Sequence, residues 1–382
     1  MTAASKYRLV VTGGGTGGHL FPAIAIADRV REMVGGDEAI EIRFVGTKRG
    51  IEYRRRDQLG APLHTIFMRP IVRSLTPRNL LLPIVLMTAL TQAVLLLGRL
   101  RPDVVVGTGG YASWPVLRVA VARHIPVMLQ EQNSYPGMVT RQIAPRAERV
   151  FLGFERARSY LKTQAPLDIT GNPVRPGLNR GDRTEALRSF GLDPDKKTIL
   201  ILGGSQGARA INQAITRGLQ NQPLPNEVQL LWQTGKRDYR DVTANVGNKA
   251  TGCTLFPFAE RMDLVYAAAD LAVARAGALT IAELIECGLP SILVPYPHAA
   301  ADHQRHNAEA MAEKGLARVI DEKDLATRDL LAEAVNLLGS AEFESIRGAI
   351  RAHTAERRPA VDVIAERVIE RMKSRREEGA PA

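Results

Sequence analysis

Cysteine is nearly absent from this chain: 382 residues include two, Cys253 and Cys287. Two thiols so placed give neither a disulfide framework nor a zinc spacing, which fits a reducing cytosol. Aromatic residues are only 5%, and the basic residues are scattered rather than interleaved with stacking rings, so nucleic acid is not an expected partner. There is no low-complexity tract. Ahead of the first glycines the only apolar run is Leu9-Val10-Val11, so no signal peptide is expected.

The formal net charge is +11. Such an excess attracts something anionic, whether lipid headgroups or phosphorylated substrates. The length fits two domains of about 150–200 residues each.

Two glycine-rich loops lie about one domain apart, Gly13-Gly14-Gly15-Thr16-Gly17-Gly18-His19 and Gly203-Gly204-Ser205-Gln206-Gly207-Ala208. Each sits between a β-branched run and a helical pattern, as in a phosphate-binding α/β unit. Glycine lets a strand turn sharply into a helix while backbone N–H groups approach an oxyanion. Gly13, Gly15 and Gly18 also fill the G-x-G-x-x-G places of a dinucleotide fingerprint. That motif wants an acidic residue at the end of the second strand, whereas this strand ends in Gly46-Thr47-Lys48-Arg49. Nicotinamide binding is therefore disfavoured.

Strand-like and helix-like runs alternate throughout, which predicts doubly wound parallel sheets of the α/β class. In the first half the expected strands are Arg8–Thr12, Ile40–Val45, His64–Met68, Val104–Val106, Val127–Gln130 and Arg149–Leu152. In the second half they are Thr198–Leu202, Gln229–Gln233, Cys253–Phe256, Leu271–Ala274 and Ser291–Val294. The turn-rich Gly171–Gly177 reads as a hinge between domains. Val361, Ile364, Val368 and Met372 mark an amphipathic helix after Pro359, and the tail from Ser374 to Ala382 is expected to fray. The most apolar window is Leu80–Leu97, flanked by Arg69, Arg73, Arg78, Arg99 and Arg101. As a crossover between parallel strands it is not expected to span a membrane. Two readings stay open: a buried crossover helix, or a helix with an exposed apolar face that docks on an anionic leaflet.

A third glycine turn, Gly107–Ser113, follows one strand, and the next delivers Gln130-Glu131-Gln132-Asn133. These gather at the C-terminal edge of the first sheet, where open α/β folds place ligands. In the second half Glu283 falls in the first turns of a helix beginning near Ala278. A carboxylate there can accept from both hydroxyls of a ribose while the helix N-terminus faces a diphosphate.

Seven motifs in register, from Gly14-Gly15-Thr16-Gly17-Gly18-His19 through Gly109-Gly110-Tyr111, Glu131-Gln132-Asn133, Gly171–Arg175, Gly203–Ala208 and Ala278–Glu283 to Asp302-His303-Gln304 with Asn307-Ala308, resemble the MurG family. These are glycosyltransferases of family 28 that add N-acetylglucosamine to lipid I in peptidoglycan synthesis. The resemblance implies a GT-B fold, with two Rossmann-like domains and the active site in their cleft. An acceptor- and membrane-binding domain would cover residues 1–173 and a donor domain 174–356, with a helix about 357–376 crossing back to the first.

It further implies UDP-N-acetylglucosamine as donor and undecaprenyl-linked lipid I as acceptor, with no cofactor and no metal. Carried over by position, Ser205 and Arg175 would contact the diphosphate, the Ala259 backbone the uracil, and Glu283 the ribose. Thr16, Gly17, Gly18, Asn133, Ala278, Leu279, Thr280, Ile281, Ala282 and Gln304 would surround the phosphates and sugar, with Gly109, Gly110 and Tyr111 on the acceptor side. The family often has a larger apolar residue at Ala259, so uracil packing is expected to be looser. The implied location is the cytoplasmic face of the cell membrane, as a peripheral protein; the implied partners are an anionic membrane surface and other cell-wall or division proteins.

The reaction needs a base beside the acceptor hydroxyl. His19 is the leading candidate, because histidine titrates near neutrality and this one borders the first glycine loop; Glu131 is the other. Asp193-Pro194-Asp195 imitates a metal-binding D-x-D but precedes its strand, so it reads as a polar turn. His298, Asp302, His303 and His306 lack a strict ligand pair for zinc. The alternative within the same architecture is a soluble UDP-N-acetylglucosamine 2-epimerase, which has no reason to expose an apolar, Arg-flanked helix.

Overall fold

Short apolar runs that end in glycine become the strands of two sheets. In the computed structural model, which describes residues 6–70, 81–203, 207–247, 251–355 and 357–379, the chain divides into two compact units. The first comprises Met1–Arg175 with Arg358–Ala382 and the second Pro176–Arg357.

In unit 1 the chain runs β1 (Tyr7–Gly13), α1 (Gly17–Met33), β2 (Ile40–Gly46), α2 (Ile51–Arg54), β3 (Leu63–Thr65), α3 (Leu82–Leu100) and β4 (Val104–Gly109). It continues through α4 (Trp114–Ala122), β5 (Val127–Glu131), α5 (Met138–Ile143), β6 (Arg149–Leu152) and β7 (Leu167–Ile169). Among the described residues the sheet has seven strands in the order β3-β2-β1-β4-β5-β6-β7, and every pairing is parallel. The order reverses between β1 and β4, which puts the switch point at the loops after those two strands.

Unit 2 repeats the plan with α6 (Arg183–Phe190), β8 (Lys197–Leu202), α7 (Arg209–Asn221), β9 (Val228–Gln233), α8 (Tyr239–Val246), β10 (Cys253–Phe256), α9 (Met262–Ala268) and β11 (Leu271–Ala274). Then follow α10 (Ala278–Glu286), β12 (Ser291–Leu293), α11 (His303–Glu313), β13 (Arg318–Val319), α12 (Leu330–Leu338) and α13 (Ala341–Ala355). Its parallel order, β10-β9-β8-β11-β12-β13, reverses between β8 and β11.

Both faces of the first sheet are covered, as a parallel sheet requires. On one side α1 joins α14 (Ala360–Glu377). Ile364, Ala365, Val368 and Met372 of α14 are buried with Leu20, Ile26 and Val30 of α1, and Arg29 meets Asp362 at 2.7 Å. Helices α3 and α4 cover the other side through Ala93, Leu97, Val116 and Leu117. The expected fraying is corrected for Ser374 to Glu378, since α14 continues to Glu377 and Arg371 pairs with Glu378 at 3.2 Å, while residues 380–382 lie outside the described residues.

Helix α3 has one buried face and one exposed face along the apolar window. Val85, Ala89, Ala93 and Leu97 form one buried stripe at a spacing of four. On the other face Ile84, Met87 and Leu95 are 64%, 64% and 68% exposed. The buried crossover reading is therefore wrong for this face. Leu80, Arg73 and Arg78 lie outside the described residues, while Arg99 and Arg101 at the far end are exposed.

Candidate functional site

At the switch point of unit 1 the loops after β1 and β4 press together with no room for side chains. A Cβ on Gly110 would overlap the Gly14 carbonyl, and Gly15, Gly109 and Gly110 take φ values of +85°, +95° and +84°. The Thr108 hydroxyl donates to the His19 carbonyl at 2.7 Å. Glycine is the residue that adopts this backbone without strain while allowing the approach.

The His19 ring packs against that turn, with Cε1 3.1 Å from where a Cβ on Gly109 would stand and Cδ2 3.1 Å from where one on Gly110 would stand. Its Nδ1 faces two acceptors, the Thr108 carbonyl at 3.0 Å and Gln132 Oε1 at 2.9 Å. The orientation of Gln132 is fixed, because its Nε2, with two hydrogens to share, faces three acceptors, Thr108 O, Gln130 O and Gln130 Oε1, at 2.8, 3.0 and 2.5 Å. Gln130 in turn donates to Asn172 Oδ1 at 2.9 Å. Nδ1 must then carry the hydrogen, which leaves Nε2 of the neutral ring with its lone pair. Sequence reasoning named His19 but missed this buried amide chain.

Glu131 is placed differently. It is buried, and its carboxylate accepts from Asn133 N at 3.0 Å, Asn133 Nδ2 at 3.3 Å and Gly137 N at 2.9 Å. Those donors make it the brace of its own turn. Glu52, which sequence reasoning also missed, lies buried under the first glycine loop and accepts from Gly15 N at 2.9 Å. A signal was present in Gly46-Thr47-Lys48-Arg49-Gly50-Ile51-Glu52, where two glycines precede an isolated acid. The Tyr111 hydroxyl is 3.3 Å from Thr47 Oγ1.

In unit 2 the edge beyond β11 carries α10, capped by Gly277 with no side-chain partner and with no acidic residue in its first turn. Leu279, Thr280, Ile281 and Ala282 follow Ala278 in the opening turns, whose N–H groups lack intrahelical acceptors at the start. Glu283 is half-buried, and the Tyr266 hydroxyl donates to its Oε2 at 2.7 Å. Gln304 Oε1 accepts from Tyr296 N at 3.0 Å, so its amide nitrogen is the end available to a ligand. Just before it, Ala301 and Asp302 both hold φ +53°, strain of the sort that collects at ligand clamps. Asn307 is fully buried and donates to Ala276 O at 3.2 Å, tying α11 to the loop after β11.

Ala259 donates its N–H to Gln233 Oε1 at 3.2 Å, so its carbonyl is what it offers a base. Arg175 belongs to unit 1, where its guanidinium lies 5.8 Å from the Phe21 ring centroid. Ser205 lies outside the described residues, with Gly204 and Gln206. Asp195 N–H donates to Asp193 Oδ1 at 3.0 Å, an Asx turn before β8. Burial pushes the Cys253 thiol up to about 11. Burial, aided by Glu283 and Glu286, pushes Cys287 up to about 12. Neither is a thiolate at neutral pH.

Residues 9–152 match the glycosyltransferase family 28 N-terminal domain and residues 198–358 the family 28 C-terminal domain. The chain is 41% identical over 339 residues to the UDP-N-acetylglucosamine--N-acetylmuramyl-(pentapeptide) pyrophosphoryl-undecaprenol N-acetylglucosamine transferase of Chlorobaculum parvum, covering 88% of this chain and 91% of the relative. Among solved structures it is similar to the MurG of Acinetobacter baumannii, at TM-score 0.75 and 24% identity over 96% of this chain and all of that one. A UDP-N-acetylglucosamine 2-epimerase is similar at TM-score 0.60 and 16% identity, covering 96% of this chain and 95% of the other. At those identities the two structures speak for the GT-B fold alone.

Proposed function

The chain belongs to glycosyltransferase family 28, and from that membership we propose that it transfers N-acetylglucosamine from UDP-N-acetylglucosamine to the 4-hydroxyl of N-acetylmuramoyl-(pentapeptide)-pyrophosphoryl-undecaprenol. The products are the disaccharide lipid and UDP, as in peptidoglycan synthesis. The observation that carries the reading is the identity with a transferase of that activity over nearly the whole chain.

Unit 2 holds the donor. Glu283, aligned by Tyr266, accepts from the ribose hydroxyls, the Ala259 carbonyl accepts from the uracil, and the N-terminus of α10 from Ala278 to Thr280 faces the diphosphate. The Gln304 amide nitrogen donates to the sugar. Ser205 and Arg175 stay with the diphosphate by family resemblance.

Unit 1 holds the acceptor through Gly17 and Gly18 at the start of α1, with Thr16, Asn133, Gly109, Gly110 and Tyr111 around it. His19 Nε2 takes the proton of the 4-hydroxyl as its oxygen bonds to the anomeric carbon. The bond from that carbon to UDP breaks, UDP leaves with the electron pair, and the configuration inverts from α to β. Nδ1–H stays bonded to Thr108 O and Gln132 Oε1 throughout, so no second group must move when the ring becomes cationic. Glu131 is the weaker candidate for the base, since its carboxylate already accepts three protein N–H bonds. The leaving diphosphate is stabilised by helix N-termini and arginine, so the step is written without a cofactor; full activity in excess chelator supports that, and loss restored by a divalent cation overturns it.

The exposed face of α3, with Ile84, Met87 and Leu95 and the arginines at its end, docks the protein peripherally on an anionic leaflet. An epimerase acting on a soluble sugar nucleotide gains nothing from that face. Labelled UDP-N-acetylglucosamine incubated with the lipid acceptor is expected to deliver label to the lipid phase. Failure to transfer under every pH and detergent tried, or release of a free epimerised sugar, overturns the reading.

A further inference from the structure

Glu52 takes no part in the chemistry above, yet its surroundings are built for one purpose. Its side chain is 1% exposed. Oε2 accepts the Gly15 N–H at 2.9 Å, while Oε1 accepts the Thr47 N–H at 2.9 Å and the Thr47 hydroxyl at 3.1 Å. A carboxylate is held in an interior only when such donors replace its water.

Three glycines leave the room it occupies. A Cβ on Gly14 or Gly46 would stand 2.5 Å from its atoms, and one on Gly50 would overlap the carboxylate outright. Gly50 has φ −80°, open to any residue, so its missing side chain serves the carboxylate rather than the backbone. The Thr47 hydroxyl also reaches Tyr111, whose ring lies 2.9 Å from where a Cβ on Gly15 would be. One carboxylate thus ties together the loops that follow β1, β2 and β4.

We infer that Glu52 is the positioning residue for the acceptor half of the reaction, and that it decides which part of the first glycine loop receives the acceptor's phosphate. The inference rests on unit 1 being the acceptor side. The Gly15 N–H is spent on Glu52, and the Gly14 N–H points to the Gly109 carbonyl at 3.4 Å. The donors left are those opening α1, at Gly17 and Gly18, which have no acceptor within the helix. A buried negative charge beneath Gly14 and Gly15 repels an anion from that end and favours the helix end. His19 is on the same first turn, so the brace fixes the separation between bound phosphate and base.

Glu52→Gln keeps the shape but sets an NH2 against either the Gly15 or the Thr47 N–H. Gly50→Ala keeps the carboxylate and pushes it out of place. Both full-length variants are compared with the wild-type protein by thermal melting and by kinetics in each substrate. The expected result is a fall of about a hundredfold in kcat/KM for the lipid acceptor, with its KM raised, as befits a misplacement near one ångström; the KM for UDP-N-acetylglucosamine is unchanged. Thr47→Val, which removes one bond only, gives a smaller loss of the same pattern and serves where either variant fails to fold. Wild-type kinetics in the folded variants, or a fall in kcat with both KM values intact, overturns the inference. Absence of transfer by the wild-type protein overturns the functional reading instead, so the two failures are distinct.

Discussion

Glu52 and Glu283 each lie beyond a strand that neighbours the first strand of its unit, in sheets that share one order apart from the added edge strand β7, and they are used in opposite ways. Glu52 is buried and faces protein N–H groups, whereas Glu283 is half-buried and is held from one side by Tyr266. The strand order shared by the two sheets supplies an edge where ligands collect; which way a carboxylate is turned decides whether it serves the ligand or the loop. Unit 1 does have an acid beyond its second strand, but it is inaccessible to a ribose. Buried in this way, it does not offer the ribose contact that a dinucleotide fingerprint needs.

The comparison breaks most visibly at the base. His19→Ala is expected to lower kcat by about 10²–10⁴-fold, the range of a lost general base, while calorimetry shows unchanged UDP binding. If UDP binding falls as well, the two units do not divide the substrates as described. Next in size, Glu283→Gln should weaken UDP-N-acetylglucosamine by about tenfold to a hundredfold, the worth of charge-assisted hydrogen bonds. Glu52→Gln should leave donor affinity alone, and equal effects of the two would erase the contrast.

Tyr266→Phe removes only the group that aligns Glu283, and a loss of about fivefold in donor KM is expected for one neutral hydrogen bond. On the membrane face, Ile84→Glu with Leu95→Glu should reduce sedimentation with anionic vesicles without altering the melting temperature. Retained binding at both low and high salt would remove that surface from the reading.

The smallest effect concerns stability in unit 2. His353 is pushed down to about 4 by burial, then by Arg357 and Lys314. The unfolded chain, with histidine near 6.5, therefore binds this proton first as pH falls. The stability it supports is complete above about 6.5 and is lost toward about 4. Melting curves of His353→Gln should fall less steeply than wild type across that window.

Much of this was legible in the sequence. Arg149–Leu152, Cys253–Phe256 and Leu271–Ala274 form strands over the expected residues, because apolar runs closed by turn residues have few other ways to bury themselves. His64–Met68 was displaced: only Leu63–Thr65 pairs with β2 at the sheet edge. β7 and β13 were not foreseen, since strands of three and two residues carry no period and exist through the neighbour they pair with. Glu283 and His19 are singled out by the sequence because each stands near a glycine turn. Glu52 escaped because it follows Lys48 and Arg49 in a polar stretch, where an acid reads as solvated surface.

By itself, the sequence determined the alternation of strand and helix, the parallel sheets and the glycine turns at their C-terminal edges, for these follow from the local periodicity of apolar residues and from the backbone freedom of glycine. Tertiary structure alone decided the tautomer of His19, the inward turn of Glu52 and the exposed face of α3. The partners that fix His19 are 89 and 113 residues away in the chain, and no local pattern encodes a hydrogen bond whose acceptor arrives from another strand.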